Sequence, residues 1–365
     1  MSCCDYGPFR RDIICVIMAR GLSRRQLFTF DFETPRKHRS ASGHWVRVHR
    51  TAMACRFEVT LSSERAGDVP AARLALDEAD RIEAALSVFR DTSELTRVNR
   101  CAAIEPTAVS QELFALLRLC RTLSDTTGGA FDITSTPLSR CWGFLRREGR
   151  LPSPGEIDAA RSVVGAHLVV LDEAARTVSF AREGVELNPG CIGKGYALGR
   201  MAAVLAEAGA TDALVSAGGS SVLALGAPDE GWIVDVKSRQ AGASPLARLR
   251  LTGPPEGGHD GHHVRGVALA TSGAGEQYVE IEGTRYGHVI DPRTGWPARG
   301  VLSVSVVADD PATADALSTA FLVGGADLAT RYCAAHSDTM VLLTPDDGSA
   351  RPCMIGSHRG VEVNL

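Results

Sequence analysis

From residue 45 onward two hydrophobic periods succeed one another along the chain, and their order limits the folds open to it. Phe57-Glu58-Val59-Thr60-Leu61 alternates as a half-buried strand does. Residues 70–86 then carry Ala75, Ala79, Ile82 and Leu86 at helical spacing, and 110–124 repeat the pattern through Leu113, Leu116, Leu117 and Cys120. Ser153-Pro154-Gly155-Glu156 predicts a short helix with proline in its first turn. Strands are expected at 167–172 and 176–181, a helix at 194–208, and strands at 213–217, 221–226 and 232–237. A hairpin is expected across Tyr278–Val289, turning at Glu282-Gly283-Thr284, followed by a strand at 301–308, a helix at 312–323 and a strand at 339–344. The strands come in clusters with helices between them, without strict βαβ alternation or a fixed repeat, which predicts an α+β fold with mixed sheets and flanking helices. No linker divides this part of the chain, so 46–360 reads as a single compact domain, with Gly253–Gly266 as an insertion.

Composition narrows the function classes. Apolar residues make up 44% of the 365 and charged residues 22%, which supports a soluble globular protein with ample surface to bury. With a formal net charge of −4 and no basic stripe, nucleic acid is not an expected partner. No apolar run approaches the ~20 residues of a membrane-spanning helix. The 37 glycines cluster in pairs (Gly128-Gly129, Gly218-Gly219, Gly257-Gly258, Gly324-Gly325), a pattern of tight turns and close backbone approach. The ten cysteines include no C-x-x-C and read mostly as free thiols, which fits a reducing compartment. Residues 1–45 differ from the rest and read as a leader or a disordered N-terminal segment. Leu22-Ser23-Arg24-Arg25-Gln26-Leu27-Phe28 has the look of a twin-arginine signal, but the residues after it are charged, and the apolar run Ile13–Ala19 precedes the arginines. The chain therefore reads as cytoplasmic, with export by a degenerate twin-arginine leader as the alternative.

Four segments carry candidate chemistry. Asn188-Pro189-Gly190-Cys191-Ile192-Gly193-Lys194-Gly195-Tyr196-Ala197 is a Gly-rich turn feeding a helix, where free N–H groups and Lys194 suit phosphate, though a plain strand-to-helix turn has the same pattern. His288-Val289-Ile290-Asp291-Pro292-Arg293-Thr294-Gly295 gathers polar residues after an apolar strand, so His288 and Asp291 could converge at the strand end. In Ala314-Asp315-Ala316-Leu317-Ser318-Thr319-Ala320, Asp315 and Thr319 are one helical turn apart and offer two hard oxygen ligands suited to Mg²⁺. Thr127-Gly128-Gly129-Ala130-Phe131-Asp132-Ile133-Thr134 places an aromatic ring and a carboxylate after a flexible turn. His259-Asp260-Gly261-His262-His263 lacks the spacing of a zinc site and reads as a solvated insertion. No G-x-S-x-G supports a serine hydrolase.

Taken together and in this order, the segments resemble the FAD:protein FMN transferase (ApbE) family from about Val46 to Gly356. The matching pieces are Met53-Ala54-Cys55-Arg56-Phe57, Ser87 through Asn99, Gly128 through Asp132, and Trp142-Gly143-Phe144. Gly193 through Ala197, Gly218-Gly219, Ala270-Thr271-Ser272-Gly273, His288 through Gly295 and Ala314 through Ala320 complete the set. The resemblance implies the family's own compact α+β (T-fold-like) domain. It also implies binding of FAD with Mg²⁺, splitting of its pyrophosphate, attachment of FMN to a Thr or Ser hydroxyl of an acceptor protein, and release of AMP. The acceptor would be a flavoprotein subunit, such as a component of a redox-driven ion pump. By the same resemblance Met53, Phe89, Ala130, Phe131 and Asp132 would line the flavin and adenosine pocket, and Asn188, Lys194 and Val289 would also meet FAD. Asp315, Thr319 and a backbone carbonyl near Cys191 would hold the metal. His288 would position the pyrophosphate or take the acceptor's proton. The chain departs from the family pattern at Asn188, Ser220 and Gly199, where Asp is usual, and at Phe89, where Tyr is frequent. An FAD pyrophosphatase and a non-catalytic FAD-binding protein are the alternative readings. The reaction calls for charge neutralisation and positioning more than covalent help, so loss of Asp315 should cost more than loss of Thr319.

Overall fold

A computed structural model describes residues 14–16, 44–146, 148–228, 231–237, 244–253, 266–275, 277–348 and 351–364. In chain order the first elements are β1 (Ile14–Val16), β2 (Trp45–Ala52), β3 (Cys55–Ser62), α1 (Val69–Leu86), α2 (Glu94–Cys101), β4 (Thr107–Ala108) and α3 (Gln111–Thr126). Then come α4 (Thr136–Cys141), α5 (Pro154–Arg161), β5 (Val169–Asp172), β6 (Thr177–Phe180), α6 (Gly193–Glu207), β7 (Ala213–Ala217) and β8 (Ser221–Leu225). The remainder is β9 (Trp232–Val236), β10 (Ala247–Leu251), β11 (Val267–Gly273), β12 (Tyr278–Ile281), β13 (Thr284–Gly287), β14 (Val301–Ala308), α7 (Pro311–Ala335), β15 (Thr339–Pro345), β16 (Cys353–Ser357) and β17 (Val361–Asn364). This is the α+β class that the periodicity predicts.

The frame is a nine-stranded antiparallel sheet in the order β1-β2-β3-β7-β8-β11-β14-β15-β16. Its central strands are buried on both faces, and strict alternation sorts their side chains. Ala268 and Ala270 of β11, Val304 and Val306 of β14 and Val341 and Leu343 of β15 point into the main core with α1, α3, α6 and α7. Val267 and Leu269, Val307, and Met340 and Leu342 point the other way, into a second core closed by the three-stranded sheet β17-β10-β9. A third, smaller cluster gathers Leu138, Trp142, Phe144, Ile157, Val164 and Ile290, joining the α4–α5 segment to the turn after β13. Trp142 fixes that union by donating its indole N–H to the Gly295 carbonyl at 2.9 Å.

The helices begin where local chemistry dictates. Ser110 caps α3 by accepting the Leu113 N–H, and Asp310 caps α7 by accepting that of Thr313. The α5 start is a full capping box between Ser153 and Glu156, with Pro154 in the first turn. α6 differs: its N-cap is Ile192, whose side chain makes no cap, and the Gly195 N–H of its first turn is taken instead by Asp315 of α7.

One helix corrects the sequence reading. The segment expected to end at 323 continues to Ala335, broken at Gly325 (φ 68, ψ −167), because Leu328, Ala329, Tyr332 and Cys333 carry burial onward past the break. β1, β2, α2, β4, α4, β10, β11, β16 and β17 are elements that the sequence reading lacks. The expected insertion and its histidines, like the arginine pair at 24–25, lie outside the described residues. Cys55, Cys101, Cys120, Cys141, Cys191, Cys333 and Cys353 are free thiols, and among the described residues no helix is long and apolar enough to cross a membrane.

Candidate active site

The site is best built outward from Asp315. It lies on the second turn of α7, 3% exposed. Its Oδ2 accepts the Gly195 N–H at 2.9 Å, and its Oδ1 accepts the Ser221 hydroxyl at 3.3 Å. The carboxylate thus caps the N-terminus of α6, where the helix dipole favours negative charge. Gly195 makes this approach possible. A Cβ there would lie 2.0 Å from the Pro311 carbonyl oxygen and 2.8 Å from Asp315 Cβ, so only glycine lets α6 and α7 meet so closely. Thr319, one turn further along α7, shares its face, and the Ser272 hydroxyl of β11 lies 3.1 Å from Thr319 Oγ1.

Lys194 and Cys191 belong to the same neighbourhood. Burial pushes the Cys191 thiol up to about 12, with the Asp315 charge adding to it. A protonated thiol is a poor metal ligand, so what Cys191 can offer an ion is its backbone carbonyl. Cys55 is pushed up to about 11, chiefly by burial, with Lys194 opposing the rise and Asp315 adding to it. Cys55 follows the β2–β3 turn, where Met53 (φ 48) and Ala54 (φ 57) both occupy left-handed backbone. They are the two central residues of a two-residue hairpin, whose favoured turn has positive φ at both positions.

The remaining predicted segments close a ring of contacts around this centre. Asn188 donates its N–H to the Ile133 carbonyl at 2.7 Å, while its Oδ1 accepts the Gly190 N–H at 3.0 Å, shaping the Gly-rich turn. Asn99 of α2 clamps the same loop from behind, with Nδ2 donating to the Leu187 carbonyl and Oδ1 accepting the Leu187 N–H. Gly129 packs toward Arg293, whose guanidinium forms a paired contact with Asp291 at 2.8 and 2.9 Å. His288 donates its backbone N–H to Gln277, and its ring Nδ1 lies 3.2 Å from the same carbonyl oxygen. Gly287 packs on the Ala274 carbonyl, two residues beyond Ser272, which places the histidine's strand end beside the strand that touches Thr319. Val289 is half-buried next to it.

Not every predicted residue offers its side chain to this space. Ala130 and Phe131 are buried, and the Phe131 ring belongs to the main core. Asp132 uses Oδ1 for the Thr134 N–H and hydroxyl and Oδ2 for the Ala166 N–H, so its carboxylate holds loops together. Phe89 is the opposite case, an aromatic ring 87% exposed between α1 and α2. Sequence reasoning missed the parts played by Ser221, Ser272 and Asn99. Asn99 and Ser272 stand inside the quoted segments, but no sequence signal says which carbonyl or hydroxyl each meets.

The donor set fits a hard cation. Asp315 is a buried carboxylate met by one N–H and one hydroxyl, and burial of such a charge calls for compensation. Thr319 adds a second hard oxygen, and Mg²⁺ is commonly held by one or two protein ligands with substrate phosphates and water completing the shell. Among the described residues, no group of three or more His, Cys, Asp or Glu side chains is placed to hold a metal ion.

Comparisons with known proteins give the chain's relatives. The model of the ApbE family matches residues 53–343. The FAD:protein FMN transferase of Salmonella typhimurium (strain LT2) is 30% identical over 248 residues, covering 66% of this chain and 67% of that protein. That of Treponema pallidum (strain Nichols) is 33% identical over 253 residues, covering 67% and 68%. Among solved structures, the ApbE protein of Thermotoga maritima superposes with a TM-score of 0.73 at 28% identity, covering 86% of this chain and 97% of that one. With a family match across most of its length, and the matched span holding every residue of the ring just described, this chain belongs to the ApbE family.

Proposed function

We propose that the chain is an FAD:protein FMN transferase that moves FMN from FAD onto a Ser or Thr hydroxyl of an acceptor protein and releases AMP, with residues 46–360 as the catalytic unit. The observation that carries the reading is the buried Asp315 carboxylate at the N-terminus of α6, with Thr319 one turn on. Asp315, Thr319 and the Cys191 carbonyl would hold Mg²⁺, which supplies charge neutralisation on the pyrophosphate.

The chain's own residues account for the rest. The N-terminal end of the α6 dipole and the Lys194 ammonium would offer the phosphates positive potential. Phe89 presents a ring on which the flavin can stack. His288 is held in one tautomer, because a carbonyl can only accept: Nδ1 must carry the proton that goes to Gln277, which makes Nε2 the basic nitrogen. Nε2 takes the proton of the acceptor hydroxyl as that oxygen bonds to the phosphorus on the FMN side. The bond from that phosphorus to the bridging oxygen then breaks, and AMP carries the bridging oxygen away.

Incubation with FAD, Mg²⁺ and an acceptor protein tests the reading. A mass gain on the acceptor equal to FMN supports it. Free FMN plus AMP would instead make the protein a pyrophosphatase, and unchanged FAD would make it a binder. Asp315→Ala should lose transfer, and full activity in that variant would remove the metal assignment.

A further inference from the structure

The hydroxyl groups behind the carboxylate form a chain whose proton directions follow from chemistry alone. Ser318 Oγ lies 2.8 Å from the backbone carbonyl oxygen of Asp315. A carbonyl oxygen only accepts, so the single hydroxyl proton of Ser318 is spent there. Ser272 Oγ reaches across from β11 to within 2.7 Å of Ser318 Oγ. With the Ser318 proton committed, the hydrogen in that contact belongs to Ser272. Ser272 Oγ also lies 3.1 Å from Thr319 Oγ1, and its own proton is now used, so Thr319 is the donor. The polarity therefore runs from Thr319 to Ser272, from Ser272 to Ser318, and from Ser318 to the Asp315 carbonyl. Ser318 is fully buried, which leaves its proton no solvent partner to turn to.

We propose that Ser272 is a positioning residue for the cation site. By accepting a hydrogen bond from the Thr319 hydroxyl it leaves only lone pairs on the remaining directions of Thr319 Oγ1. The oxygen then meets a divalent cation as a ligand and never presents a hydrogen to it. The inference rests on the reading of Asp315 and Thr319 as metal ligands and adds the residue that keeps one of them in its binding orientation. Without Ser272 the Thr319 hydroxyl rotates freely, and part of the time it opposes the ion.

The test is a Mn²⁺ titration of the full chain with FAD and no acceptor, followed by the loss of the free-ion EPR signal. Ser272→Ala should weaken Mn²⁺ binding roughly ten-fold, the lower range for a residue that orients a metal ligand. Ser272→Thr, which keeps the hydroxyl, should restore binding to within about two- to three-fold of the parent. The metal-free unfolding midpoint of Ser272→Ala should fall modestly, since the buried Ser318 hydroxyl loses its donor, and its transfer rate should recover at saturating metal. Unchanged Mn²⁺ affinity in Ser272→Ala would overturn the relay, as would an equal loss in both variants, which would trace to packing. Asp315→Ala separates the two levels of the argument: if it binds Mn²⁺ as the parent does, the metal assignment itself falls.

Discussion

Replacing Gly195 by alanine adds one methyl group to the joint between α6 and α7, and the structure sets the size of the effect. The new Cβ would lie 2.0 Å from the Pro311 carbonyl oxygen, 2.6 Å from its carbon and 2.8 Å from Asp315 Cβ. Two of these are backbone atoms at the head of α7, so no side-chain rotation relieves the clash, and the helices must part by more than an ångström. Overpacking of this kind costs about 1–3 kcal/mol. Separation also stretches the 2.9 Å bond from Gly195 N–H to Asp315, and a hydrogen bond to a charged group is worth about 1.5–3 kcal/mol. Alanine returns at most about 1 kcal/mol as the better helix former. The net expectation is a loss of about 2–4 kcal/mol, read from urea unfolding. Two alanines in the same helix serve as controls. At Gly193 an added Cβ meets nothing within 4 Å, and at Gly199 it meets only Pro311 Cγ at 3.4 Å. Each should leave stability unchanged or raise it by up to about 1 kcal/mol. A Gly195→Ala protein as stable as the parent, or a Gly193→Ala protein that is worse, would refute the claim that close helix contact fixes this glycine.

Phe89→Ala should change stability by less than about 0.5 kcal/mol, since the ring is exposed, while FAD affinity falls roughly 2- to 10-fold by calorimetry and recovers in Phe89→Tyr. His288→Gln should slow transfer by about 10²- to 10⁴-fold in the acceptor mass assay, with FAD binding retained. Glu156 is drawn from its ordinary 4.5 down to about 2, first by the Arg150 guanidinium and then by the Ser153 N–H and hydroxyl. Its contribution to the start of α5 is therefore fully present above pH 4.5 and lost as pH falls toward 2, which amide exchange at the first turn of α5 should show. Under limiting alkylation at pH 8, exposed Cys353 should label before Cys120 and Cys191, whose thiols burial holds protonated; peptide mass mapping gives the order.

The parts of the fold legible in the sequence are those where one face alone decides the period. α1 and α3 bury a single stripe, and both were readable from Ala75, Ala79 and Ile82 and from Leu113, Leu116 and Leu117. α2 was not, because only Leu95, Thr96 and Val98 are buried in a mostly polar octet. β11 is buried on both faces over Val267–Ala270, so it has no alternation to show. α7 was cut short because Gly324-Gly325 reads as a stop, whereas the chain spends one left-handed residue there and resumes the helix on the same core. At the site, Asp315 and Thr319 were visible as a pair because helical spacing is local. Their partners were not: Gly195, Ser221 and Ser272 reach them only through the pairing of distant strands and the crossing of two helices. Asp132 shows the reverse problem, a carboxylate in a suggestive segment whose oxygens the fold uses for loop closure.

The back layer of the molecule bears on how it is made. β10 joins β9 early in synthesis, but its other neighbour is β17, with Leu249 opposite Val363. At ribosomal speeds of about 5–20 residues per second, the intervening stretch takes on the order of 5–20 s to emerge. During that interval the greasy underside formed by Val222, Val267 and Leu269 is only partly roofed. The newborn polypeptide is thus open to capture by chaperones, and to misassociation with its siblings, until β17 is released.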